Sequence, residues 1–334
     1  MSDLSLNSDI CEVIANNFHT IEYELDDWVV NSGKLSYYKL SSNSNAVDFL
    51  KKHPEYINYD ELCFNQNPEA AELMRNKPDN LNWHYLSHNP SKSVIDLLIE
   101  NERKVDWKKL SQNRNILYFL KLRNNRIEDL YKLDWDKLSM NTGAVPLLEE
   151  YSLEINWKNI SRNSAAIELQ CDRLSRNKRK VDYKLLSFNE TPQAIAILRE
   201  NLKKICWYNL SSNKSKEAIE LLKEHPEKIA WDVLSKNPSA YELLRDNQNK
   251  IYWEILTANP NPKILTLFTP ETLKNLSTRH YFSTNIGACA FLKKHPEYIT
   301  DEIGKMPYIF KAVKKIDKEW IDRIMPALNI IFQK

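Results

Sequence analysis

Few side chains in this sequence stand at spacings that could do chemistry. His84 and His88 are four apart, so a helix would carry both imidazoles on one face, as a zinc pair requires. The intervening Tyr85-Leu86-Ser87 lacks the glutamate of the H-E-x-x-H metalloprotease motif, and the pair falls on variable positions. The cysteines, at 11, 63, 171, 206 and 289, form no C-x-x-C and read as free thiols of a reducing compartment. The four glycines, Gly33, Gly143, Gly287 and Gly304, are too far apart for a dinucleotide turn, a phosphate loop or a nucleophile elbow, each of which needs close backbone approach. No Ser/His/Asp or Cys/His set can be assembled. The expectation is a protein that is not an enzyme and carries no catalytic residue, metal or cofactor.

The elements behind these residues are set by a repeat. The unit reads [I/L/V]-x-[W/Y]-x-x-L-S-x-N. Its aromatic anchors are Tyr37, Tyr59, Trp83, Trp107, Trp135, Trp157, Tyr183, Trp207, Trp231 and Trp253, at intervals of 22 to 28 residues. Three residues after each anchor stands Leu, or Ile160. The next is Ser, except for Cys63 and Thr257. Six after the anchor stands Asn: Asn43, Asn65, Asn89, Asn113, Asn141, Asn163, Asn189, Asn213, Asn237 and Asn259. A residue repeated in every unit is structural, because an active site occurs once. Asn is suited to end the first helix in the left-handed region or to cap the second helix through its side chain. Asn-Pro at 89–90, 237–238 and 259–260 matches an N-cap followed by proline.

Each unit reads as two short helices: anchor to Ser, then a run such as Ala218-Ile219-Glu220-Leu221-Leu222. In seven units the last apolar residue of that run lies nine before the next anchor, so this link is structurally specified. One unit alone cannot bury its aromatic and leucine face; stacked neighbours can. The expected fold is all-α: an α-solenoid, or superhelix, of about 11–12 repeats of 22–28 residues with alternating α and 3₁₀ helices. Layers ~10 Å apart would make a rod roughly 100 Å long. Residues 1–34 are assigned to an N-terminal cap or degenerate repeat, 35–299 to the array, and 300–334 to a C-terminal helical cap carrying Trp320, Ile321, Ile324, Met325 and Leu328.

The string Trp231-Asp232-Val233-Leu234-Ser235-Lys236-Asn237-Pro238-Ser239-Ala240 resembles tandem repeats abundant in proteins of giant DNA viruses that infect amoebae. The resemblance covers about residues 30–300 and agrees with the 35 asparagines in the chain. It implies a viral protein of the host cytoplasm, the viral factory or the virion. The rhythm is also similar to the leucine-rich repeat variant, a solenoid of alternating α and 3₁₀ helices, from which this sequence departs in its aromatic anchor.

Breaks in a repeat point to function. Insertions lie around Arg123–Asp129 and around Asp172–Lys180, at equivalent places two units apart. The net charge of +2 hides an uneven distribution: −10 over residues 1–102, +10 over 103–216 and +2 over 217–334. The candidate binding surface is therefore Arg123, Arg126, Arg173, Arg176, Lys178, Arg179 and Lys180, beside the bland alternative of a solvated face. The run 176–180 also resembles a nuclear import signal. No segment has the 18 apolar residues needed to cross a bilayer, and residues 1–5 are unlike a secretory leader. The leading expectation is a scaffold that binds a host or viral protein. The alternatives are nucleic-acid binding through 103–216, by counterion-dependent contact with phosphates, and homo-oligomeric assembly in virion or factory, with the acidic third of one copy meeting the basic middle of another.

Overall fold

The computed structural model describes residues 19–167, 181–276 and 280–316. They are almost entirely short α-helices and 3₁₀ turns in a repeating order. A representative unit runs Trp207–Ser211, Lys216–Glu224 and Pro226–Lys228, the last a 3₁₀ turn. That third piece recurs as Pro54–Tyr56, Pro78–Asn80, Glu102–Lys104, Leu202–Lys204 and Gln248–Lys250. It fills six of the seven nine-residue links, so these units have a further helical piece beyond the two expected; the link from Leu148 to Trp157 is a plain turn.

The repeated leucine is fully buried in all ten units, from Leu40 to Leu256 with Ile160 among them. The aromatic anchors are only half-buried, packed on the core with one face outward. Lysines three residues before the next anchor cover that face. Lys104 stands 5.1 Å over Trp83, Lys132 4.7 Å over Trp107, Lys204 4.5 Å over Tyr183 and Lys250 4.8 Å over Trp231. Each such contact contributes ~0.5–1 kcal/mol at an exposed site.

Ser and Asn act between units as well as within them. Ser87 Oγ donates to Trp83 O at 2.7 Å and accepts from Asp106 N, of the following unit, at 2.9 Å. Ser111, Ser139, Ser187, Ser211 and Ser235 take the same acceptor role. Each repeat Asn donates through Nδ2 to the Ser-position carbonyl of the preceding unit, and all but Asn189 donate to its Asn-position carbonyl as well. Asn113 reaches Ser87 O at 3.1 Å and Asn89 O at 2.9 Å. Its Oδ1 accepts from Asn115 N at 2.9 Å. The side-chain cap is thus as expected, but the left-handed backbone is not: Asn43, Asn141, Asn163 and Asn237 are extended, with φ between −84° and −77°. An extended Asn turns its amide back toward the previous unit, which the left-handed form would not do. Positive φ among non-glycine described residues is confined to Asn124 and Asn125, in the insertion.

The ladder has no free end among the described residues. Phe282, Ser283 and Asn285 hold the Leu, Ser and Asn places of an eleventh unit: Asn285 Nδ2 bonds Thr257 O and Asn259 O. Ile303, Gly304 and Met306 hold those places in a twelfth. Asn43 of the first unit then donates to Gly304 O at 3.2 Å and Met306 O at 2.8 Å, the same pair of bonds that Asn113 and Asn213 make to their predecessors. Met306 cannot donate, and Tyr308 Oη bonds Asn285 O at 3.2 Å in its stead. β1 (His19–Leu25) and β2 (Phe310–Ile316) fasten the junction as an antiparallel pair with His19 opposite Ile316 and Leu25 opposite Phe310. Lys39 forms ion pairs with Asp301 and Glu302, and Lys305 with Glu61 at 2.9 Å. One core cluster contains both Val29–Ala166 and Leu276–Phe310.

The expectation of a rod roughly 100 Å long with separate ends therefore fails. A path of that length closed on itself spans only ~30–40 Å. A closed circuit also needs no polar end caps, since no unit lacks a neighbour. Within the segment expected to be a helical cap, 301–309 are 3₁₀ turns and 310–316 are strand. Alternation at Ile21, Tyr23 and Leu25 was the available sign of the first strand, but a strand needs a partner that lies far off in sequence. Trp320, Ile321, Ile324, Met325 and Leu328 lie outside the described residues. No helix among the described residues is long and apolar enough to cross a membrane.

Candidate binding faces of the repeat circuit

Two faces of the circuit carry side chains that the repeat does not use. The first is inward. Slots five and seven after the anchor flank the repeat Asn, where neighbouring backbones are bonded together. Two glycines record how close they come. A Cβ on Gly143 would lie 2.0 Å from Arg114 O, and one on Gly287 would lie 2.6 Å from Pro260 O. A single cavity of about 1080 Å³ is lined from Gln66 in the second unit to Ser212 in the eighth, including His88, Gln112, Arg114, Lys137, Arg162, Phe188 and Glu190. Every unit from the second to the eighth contributes to this lining, so the cavity runs along the inner face of the circuit. A second cavity of about 660 Å³ shares Ser212 and continues to Tyr281, with Lys214, Lys236 and Asp232 in its wall.

The second face is the edge formed by the insertion after Leu122. Arg123 was expected on a binding surface. Instead its side chain is buried, 6% exposed, and Asp129 beside it is fully buried. Arg123 Nη2 bonds Asp129 Oδ1 at 3.1 Å, its Nη1 pairs with Glu102, and its guanidinium sits 5.8 Å from the Trp107 and Phe119 rings. Burial pushes the Asp129 carboxyl up, but hydrogen bonds from Arg123 and Lys132 outweigh it and hold the group below its ordinary value. Arg123 is thus the pin of the inserted turn, a role its charge alone could not disclose. Arg126 is exposed. Arg173, Arg176, Lys178, Arg179 and Lys180 lie outside the described residues.

The same edge exposes apolar side chains. Ile127 is 64% exposed, Tyr131 84% and Leu153 96%. Tyr131 and Leu153 both stand four residues before an anchor, in consecutive units, so they are neighbours ~10 Å apart. Ile127 lies one helical turn before Tyr131. In other units that slot holds Glu55, Asp79, Arg103, Lys203, Glu227 or Asn249, all exposed and polar. The comparison between units was the signal that could have found this patch in the sequence.

His84 pairs with Asp106 of the next unit at 2.7 Å, while His88 faces the central cavity. Among the described residues no group of three or more His, Cys, Asp or Glu could hold a metal ion. Cys63, Cys206 and Cys289 are free thiols. Burial pushes the Cys63 thiol up to about 11, and burial also raises the Tyr308 hydroxyl.

These features define a helical-repeat protein whose units are stitched into a circuit by Ser and Asn side chains. No protein-family model, curated protein or solved structure matches the chain.

Proposed function

We propose that this protein is a non-enzymatic scaffold that binds a protein partner at the edge of its fourth and fifth units. The observation that carries the reading is the pair Tyr131 and Leu153, apolar and almost wholly exposed at a slot that holds an exposed polar side chain in six other units. Exposed apolar clusters rimmed by charge mark interaction sites, and tyrosine is favoured at the centre of such contacts. The resemblance to giant-virus repeats makes the partner a host or viral protein, met in the cytoplasm or viral factory of an infected amoeba. Nucleic-acid binding along an outer basic surface is less favoured. Lys104 pairs with Asp79, Arg199 with Glu224 and Lys132 with Asp129, and Arg123 is buried.

The test is affinity capture from infected amoebae with the wild-type chain and with a Tyr131→Asp/Leu153→Asp variant. The reading expects at least one protein that the wild type retains and the variant loses, while the variant's unfolding midpoint is unchanged. Equal recovery of every retained protein by both chains would overturn it.

A further inference from the structure

We propose that the central cavity is a binding site for a compact polyphosphate anion, free or carried on a nucleotide. Arg114, Lys137 and Arg162 come from three consecutive units and line one cavity of about 1080 Å³. None of the three makes an ion pair among the described residues. Glu190 is the single carboxylate in the lining, which also supplies the amides of Gln66 and Gln112 and the imidazole of His88. Arg162 lies 4.7 Å over the half-buried Phe188 ring, which directs it along the cavity wall.

The contrast with the junction of the circuit shows that unpaired charge is not the rule on this face. Lys39 and Lys305 occupy slots two and five of their units, as Lys137 and Arg162 do, and both are neutralised by Asp301, Glu302 and Glu61. At units four to six three cations on consecutive units line one cavity whose lining holds one acid, Glu190. Like charges brought together repel, and an anion that bridges them removes the repulsion. The guanidinium fork of each arginine matches phosphate oxygens in pairs, with Lys137 as a point charge between them. Pockets that hold small ligands have volumes of about 300–1,000 Å³, and this cavity, at about 1080 Å³, lies just above the upper end of that range. A triphosphate supplies several charges in that space, more than one acidic side chain does.

The inference rests on residues other than those of the protein-binding edge and stands or falls independently of it. The test is calorimetric titration of the full chain at low salt with sodium tripolyphosphate, with ATP, with a twenty-nucleotide oligo-dT and with a ten-residue polyglutamate peptide. One tripolyphosphate is expected per chain. Arg162→Gln and Lys137→Gln should each weaken it at least tenfold with an unchanged unfolding midpoint. Arg126→Gln, at an exposed position on the insertion, should change it less than twofold. ATP binding as tightly as tripolyphosphate means that phosphate alone is read, and tighter binding means that the nucleoside adds contacts; both uphold the site. ATP binding more weakly assigns it to inorganic polyphosphate. The proposal is overturned by absence of tripolyphosphate binding, by unchanged affinity in Arg162→Gln and Lys137→Gln, by an equal loss in Arg126→Gln, or by tenfold tighter binding of the oligonucleotide or the peptide.

Discussion

Closure of the circuit predicts that the first repeat asparagine matters as much as one in the middle. Asn213 makes three bonds to backbone: Nδ2 to Ser187 O at 3.1 Å and Asn189 O at 2.9 Å, and Oδ1 from Ser215 N at 3.0 Å. Asn43 makes the equivalent three: Nδ2 to Gly304 O at 3.2 Å and Met306 O at 2.8 Å, and Oδ1 from Asn45 N at 3.0 Å. Both side chains are 1% exposed. A buried hydrogen bond contributes ~1 kcal/mol net, and a partner left unsatisfied costs ~1–3 kcal/mol. Replacing either Asn by Ala should therefore cost about 3–5 kcal/mol. In an open array the first unit frays with little effect on the rest, and Asn43→Ala would cost about 1 kcal/mol or less. Urea unfolding followed by circular dichroism gives both costs, and amide exchange at residues 303–309 reports whether loss of Asn43 loosens the far end of the chain. Equal costs, with faster exchange at 303–309 in Asn43→Ala, are expected. A cost below ~1 kcal/mol for Asn43→Ala beside ~3 or more for Asn213→Ala would refute the closure argument.

Arg123→Ala leaves Asp129 buried beside Lys132 alone and should destabilise by about 3–5 kcal/mol, whereas Arg126→Ala should stay within ~0.5 kcal/mol; thermal unfolding compares the two. Cys63 gives a pH dependence. Its folded pKa, about 11, is above its ordinary value of 9.0. The thiol's contribution is therefore fully present below pH 9 and is lost as the pH rises toward 11, at no more than ~1.4 kcal/mol per pH unit. Cys63→Ser restores the repeat residue and removes that titration. The variant should gain on the wild type in urea midpoint between pH 8 and pH 10.5, and parallel profiles would contradict the burial argument.

The repeat was legible because each of its residues meets a local demand in every unit. The leucine is buried in all ten, the asparagine caps the turn after it, and the nine-residue link holds a 3₁₀ turn in six of its seven occurrences. The functional surfaces were legible only in part. The insertion at 123–129 was visible as a break in spacing, yet charge drew attention to Arg123, which folding buries against Asp129. The exposed groups beside it are Tyr131 and Leu153, whose apolar character in one sequence looks like that of any core residue. Cations at 114, 137 and 162 were visible as part of a basic middle, but that they share a cavity with Gln66 and Ser212 could not be read from their order.

What the sequence determined by itself was the unit: its helices, its aromatic and leucine face, and the need to stack on neighbours. These follow from spacings of a few residues, where sterics and hydrogen bonding act within one turn of chain. What only the tertiary structure decided was that the stack closes, with Asn43 meeting Gly304 and Met306 and β1 meeting β2. Closure is the sum of small rotations at every contact between units. No single unit encodes that sum, and it is complete only when residues more than 260 apart arrive side by side.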